Sequence, residues 1–231
     1  MLGTWVNAAA ILIGGSLGLV LRGGIPQRLR QTVMQGLGLC VLVIGIMGAI
    51  KTQNIMIVIV STVLGGLLGE GIGIEKGMEA FGQRAQRLLM RGKNDQGDFA
   101  QGFLTATLIF CVGAMAIVGA LDGGLRGAHE TLFAKSLLDG VASIFFASAM
   151  GPGVLLSALP VLVYQGAIAL SAQAVAPFLS EAAMCEMSAV GGMLIMGIGL
   201  TLLDIVKIRV GNLLPAIFLP LIYFAIQGFF S

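Results

Sequence analysis

The stretch FAKSLLDGVASIFFASAM, Phe133–Met150, places a single acid, Asp139, early in a run of otherwise mostly small or apolar residues. A helix needs roughly 20 such residues to cross a hydrocarbon core of about 30 Å. A carboxylate inside such a helix costs about 2.5–3.5 kcal/mol on insertion scales, so it faces a partner, a cavity or a pathway. The stretch therefore predicts a membrane span and singles out one residue within it.

The rest of the chain repeats the pattern. Apolar residues make up 57% of 231 and charged ones only 10%, well above the apolar share of about 45–50% in soluble domains, and the mean hydropathy is +0.99. Eight apolar runs, roughly 2–21, 32–50, 54–74, 101–121, 133–151, 153–176, 184–204 and 211–230, leave no room for a soluble domain. The expectation is an all-α, polytopic transmembrane helix bundle of about eight spans forming one integral membrane domain, 1–231. Only Gly151-Pro152-Gly153 separates the fifth run from the sixth, so seven spans with one re-entrant piece is the alternative.

Charge distribution sets an orientation. With the N-terminus outside, inner connections hold Arg22, Arg28, Arg30, Lys76, Arg84, Arg87, Arg91, Lys93, Lys207 and Arg209, and outer ones only Lys51, Arg126 and Lys135. The positive-inside rule then places both termini outside, with Trp5 at the outer interface. No basic residue precedes the first run, so no removable signal peptide is expected.

Glu75–Asp98 is the one long polar stretch. Ile74, Met78, Phe81, Ala85 and Leu88 recur every three or four residues, with Lys76, Arg84, Arg87 and Arg91 elsewhere. This predicts an inner connecting helix, either lying on anionic headgroups or simply solvated, ended by a turn at Gly92–Gly97. Paired landmarks offset by about one hundred residues (Gly23-Gly24 and Gly123-Gly124, Gln35-Gly36 and Asp139-Gly140, Gly66 and Gly166) outline a candidate inverted repeat of three spans, 1–78 and 99–178. The connecting helix, 79–98, would join them and two final spans, 183–231, would follow. Such repeats are common in secondary transporters. Gly14 and Gly18, and Gly65, Gly69, Gly73 and Gly77, recur every four residues, as close helix packing in lipid requires.

Polar groups within spans nominate a path for a solute or ion. Ser136, Asp139, Ser143 and Ala147 share one helix face; Tyr164 and Gln165 follow Pro160, which frees a carbonyl in the preceding turn. Asn212 opens a proline-interrupted span and is read as a cap or as part of a broken helix. Asn7 and Gln35 are further candidates, and Glu70 is a candidate gate paired with the Arg22–Arg30 loop. For Asp139 two bland readings stand beside the functional one: solvation near the surface, or pairing with Lys135.

No catalytic, metal or cofactor site is expected. His129 is the only histidine and lies in a connection, Asp139 has no second intramembrane aspartate, and Cys40, Cys111 and Cys185 lack metal spacing. The cysteines read as small buried apolar residues. Expected partners are the bilayer and a small solute or ion, with a homo-oligomer open and no nucleic acid.

Several segments carry a resemblance. Gly3-Thr4-Trp5-Val6-Asn7 with Ile13-Gly14-Gly15, then IPQRLRQTVMQGLGL, LLDGVASIFFASAMGPGV, Tyr164-Gln165-Gly166 and Gly211-Asn212-Leu213-Leu214-Pro215 resemble the YqgA-like family (domain of unknown function 554) over the whole chain. The resemblance implies a bacterial multi-pass inner-membrane protein and brings no catalytic residues with it. The leading reading is a small ion-coupled transporter or channel-like permease, coupled to a proton or cation. The alternative is a non-transporting scaffold or assembly factor that binds partners through its glycine-rich faces.

Overall fold

Long apolar runs become helices here because lipid offers no hydrogen bonds to an open backbone, and polar residues mark where they begin. The computed structural model describes residues 1–23, 26–89, 98–111, 114–175 and 179–230. In chain order the α-helices are α1 (Leu2–Arg22), α2 (Gln27–Ala49), α3 (Ile55–Ile72), α4 (Ile74–Leu89), α5 (Asp98–Cys111), α6 (Ala114–Leu125), α7 (Glu130–Met150), α8 (Gly153–Leu156), α9 (Ala158–Leu170), α10 (Ala172–Val175), α11 (Glu181–Leu202) and α12 (Leu219–Phe230), with a 3₁₀ helix at Val210–Phe218. No strand occurs among the described residues. Asn54 caps α3 by accepting from the Met56 N–H at 3.1 Å, and Ser180 caps α11 by accepting from Ala183 N–H at 3.1 Å. Gly73, at φ +73°, ends α3 in the left-handed conformation.

The helices pack as two compact units. The first gathers α1, α5, α6 from Met115, α7, α8 and α9; the second gathers α2 from Leu37, α3, α11, the 3₁₀ helix and α12. This grouping follows packing, and neither unit coincides with the stretches 1–78 or 99–178.

In the first unit α1 and α7 run parallel. Gly3 lies against Leu132, Gly14 against Gly140 and Ser143, and Gly18 against Ile144 and Ala147. A Cβ at Gly14 would collide with the Gly140 carbonyl, so the closeness of this pair depends on glycine there. Against α1, α9 runs antiparallel, with Leu155 of the preceding turn of helix beside Gly15 and Gly166 beside Met1. In the second unit α3 packs antiparallel to the 3₁₀ helix, with Gly65 against Ala216 and Gly69 against the Asn212 backbone. There α2 packs antiparallel to α11, with Gly38 beside Leu203 and Gly48 beside Gly192.

Among the described residues seven helices are long and apolar enough to cross a membrane, and the bent pair α5–α6, with an angle of 59°, makes an eighth if it is one span. Parity decides this. Parallel α1 and α7 start at the same end, so the chain between them crosses an odd number of times; α2 and α3 supply two crossings, and α5–α6 must be the third. The second unit gives the same answer independently. Glu186, in the second turn of α11, grips the loop just before α3, so α3 and α11 start at one end. Between them lie α7, the α8–α9 span and α5–α6. Eight crossings put the two chain ends on the same side.

Two expectations change. The break lies within the fourth run, which divides into α5 and α6, whereas Gly151-Pro152-Gly153 is the turn between two full crossings. Lys135, counted as an outer-loop residue, is buried inside α7 because that helix begins at Glu130. Pro160 is the third residue of α9, and within the Gly153–Leu170 span the helix is interrupted at Ser157, in the turn just before it. The turn expected at Gly92–Gly97 lies outside the described residues; the connecting helix is present from Ile74 to Leu89.

Candidate functional site

The first unit buries an ion pair. Lys135 and Asp139, one turn apart on α7, are 6% exposed each. Lys135 Nζ donates to Asp139 Oδ1 at 2.9 Å and to Oδ2 at 2.8 Å. From α1, Asn7 Nδ2 donates to the same Oδ2 at 3.0 Å. The carboxylate is thus met by one full charge and one amide, the pairing and hydrogen bonding that a buried charge needs. Cys111, the last residue of α5, and Tyr164 of α9 complete the surroundings: Cys111 lies within electrostatic reach of Lys135 and Asp139, and Tyr164 of Cys111. The end of α5 is thus the part of the fourth run that comes within electrostatic reach of the ion pair.

In the first unit several buried polar atoms have no hydrogen-bond partner among the described residues: Thr4 Oγ1, Asn7 Oδ1, Thr107 Oγ1, His129 Nδ1 and both amide atoms of Gln165. Thr4, Asn7 and Gln165 are each 0% exposed. An orphaned buried polar group costs about 1–3 kcal/mol, and other hydroxyls of the helices avoid that cost by bonding to backbone carbonyls, Ser188 Oγ excepted. Thr62 donates to Val58 O, Ser136 to Leu132 O and Thr201 to Gly197 O.

A second polar cluster lies in the second unit. Asn212 Nδ2 donates to Glu70 Oε2, while Asn212 Oδ1 accepts from the Glu75 N–H at 2.8 Å. Glu75 Oε2 accepts from the Gly211 N–H at 3.0 Å. Arg209 donates to Glu70 Oε1 at 2.9 Å, an exposed pair. Asn212 is thus not the cap: Arg209 precedes the 3₁₀ helix, and the Asn212 side chain ties that helix to the end of α3 and the start of α4. Glu70 pairs with Arg209.

The remaining candidates separate. Ser143 is fully buried, but its hydroxyl donates to Gly140 O at 2.8 Å within the α1–α7 contact, so this face of α7 is taken up by packing. Ser157 and Ser171 likewise bond to backbone carbonyls. Gln35 is exposed on α2. Cys40 is exposed, against the expectation of burial, and all three cysteines are free.

Sequence reading missed Glu186. It is 1% exposed and accepts from Thr52 Oγ1 at 2.6 Å, Gln53 N–H at 2.7 Å and Asn54 N–H at 3.0 Å. The signal was the one that found Asp139, an acid within an apolar run.

Long apolar helices around a buried, hydrogen-bonded ion pair define a multi-pass α-helical membrane protein with a polar core in its first unit. The chain matches the family described as "Protein of unknown function (DUF554)" over residues 2–225, and it belongs to that family. It is 34% identical over 223 residues to "Uncharacterized protein YqgA" of Escherichia coli (strain K12), covering 96% of this chain and 95% of that one. It is also 34% identical over 236 residues to "Uncharacterized membrane protein YdfK" of Bacillus subtilis (strain 168), covering 99% and 98%. No solved structure matches.

Proposed function

We propose that this is a small proton-coupled transporter or permease of the bacterial inner membrane, with Asp139 as the titrating group and both termini outside. The observation that carries the reading is the buried Lys135–Asp139 pair held by Asn7, with Cys111 at the end of α5 within electrostatic reach. Intramembrane ionisable residues of this kind mark ion and proton pathways, and discontinuous helices flank the sites of many transporters. The positive-inside distribution and the membrane designation of the Bacillus relative support the location.

A proton suits this site better than a metal cation. The Lys135 ammonium already contacts both Asp139 oxygens, so an added cation would meet a like charge where it needs ligands. A proton takes no room: protonating Asp139 releases Lys135, and the pair then has two arrangements to alternate between. The scaffold reading has less support, because Gly14, Gly18, Gly65 and Gly69 are taken up by contacts inside their own units.

The test is purified protein in liposomes carrying a pH-sensitive dye. An imposed potential should drive proton movement at a rate at least tenfold above that of empty vesicles. Asp139→Asn should lower that movement to the empty-vesicle rate, and Ser148→Ala should leave it intact. Asp139→Asn flux equal to wild type would remove the assigned role.

A further inference from the structure

Beside the ion pair is a second group of polar atoms that the proton reading does not use. Gln165 offers two N–H donors and a carbonyl, Asn7 a free carbonyl oxygen, and Thr4 a hydroxyl; none has a partner among the described residues. They lie at one level of the unit by register. Thr4 and Asn7 lie three residues apart on the buried face of α1, and Gln165 lies on the buried face of α9 with Val161 and Ala169. The antiparallel pairing that sets Leu155 beside Gly15 and Gly166 beside Met1 brings Gln165 near the level of Thr4. Asn7 is already fixed to Asp139 through its other amide atom, so this group adjoins the ion pair and lies towards the end where α1 begins.

The chemistry of the set is specific. It holds donors and acceptors together and brings no net charge, because Lys135 and Asp139 compensate each other. A charged ligand would therefore lie here without a counter-charge, which a buried site does not tolerate. An apolar one would leave every orphan unpaired. We infer that Thr4, Asn7 and Gln165 form a subsite for a small uncharged solute that both donates and accepts hydrogen bonds, of the amide or polyol class. This rests on the transport reading and names the kind of cargo that accompanies the proton.

The experiment follows shrinkage and re-swelling of proteoliposomes by stopped-flow light scattering, with acetamide, urea and glycerol as probes. At least one of them should equilibrate about tenfold faster than in protein-free vesicles. Gln165→Leu, which keeps the volume and removes both polar atoms, should return that rate to the protein-free value, and Thr4→Val should lower it at least threefold. Ser148→Ala should leave it unchanged, and monodisperse elution of each variant checks its folding. Exclusion of all three probes, or passage of water alone, overturns the subsite, as does a Gln165→Leu or Thr4→Val variant that folds and transports like wild type. The two proposals fail separately. Solute flux indifferent to a pH gradient and to Asp139→Asn removes proton coupling and leaves the subsite standing. Proton movement that survives with no probe transported does the reverse.

Discussion

Asp139 and Glu186 are both acids buried in apolar helices, yet their surroundings give them different work. Glu186 is fully engaged: two backbone N–H groups and a hydroxyl converge on its carboxylate from the loop before α3. Its role is to hold that loop, and glutamine there would turn an N–H₂ towards donors. Glu186→Gln should therefore cost about 1.5–3 kcal/mol in unfolding titrations with denaturing detergent, whereas the exposed Glu181→Gln should stay near zero. Asp139 instead depends on a neighbour whose removal leaves a charge stranded. Lys135→Met alone should cost about 3–5 kcal/mol, and Lys135→Met with Asp139→Leu should recover most of it. A stable double variant without proton movement would separate the pair's functional from its structural contribution. Asp139 was legible because an acid in an apolar run is conspicuous, and Lys135 lies only four residues away. The partners of Glu186 lie more than 130 residues distant, and Gln165 is notable for bonds it lacks; neither can be read from local spacing.

Among the helices, the four-residue glycine spacing foretold close packing but not where each glycine would be used. Gly65 and Gly69 meet the 3₁₀ helix, Gly73 turns the chain, and a Cβ at Gly77 would meet open space. The same difference supplies a test at this scale. A methyl at Gly14 would press on the Gly140 backbone carbonyl, which cannot rotate away, whereas one at Gly71 would touch nothing. Gly14→Ala should destabilise by about 1–3 kcal/mol. Gly71→Ala should be neutral or stabilise by up to about 0.5–1 kcal/mol through helix propensity. Equal effects in a denaturing-detergent titration would mean that α1 and α7 are not in the contact described. The runs themselves were nearly all legible, since length and hydropathy define a span. The division of the fourth run was not, because the sequence there stays apolar throughout. Nor was the 3₁₀ form of Val210–Phe218, although Pro215 inside it removes a backbone donor that a longer-ringed helix would use.

At the scale of the molecule, eight crossings and one orientation can be tested together. Parity within each unit requires α5–α6 to cross once, and the basic residues favour the side that holds Arg84 and Arg209 as the inner one. Both ends of the chain and the α6–α7 connection then lie outside, and the loop between α11 and the 3₁₀ helix lies inside. After Cys40, Cys111 and Cys185 are replaced by alanine, single cysteines can be installed at Arg126 and Lys207, both exposed, and a tag added to each end. In intact cells with a permeabilised outer membrane, an impermeant maleimide should label Arg126→Cys and spare Lys207→Cys, and both tags should be cleaved by added protease. If α5–α6 entered and left on one side, everything after it would invert: Lys207→Cys would be labelled, Arg126→Cys protected, and the C-terminal tag spared while the N-terminal one was cut. Inversion of all four signals together would keep the parity and reverse the orientation. The α5–α6 pair would then still make one crossing, as the proposed proton pathway requires.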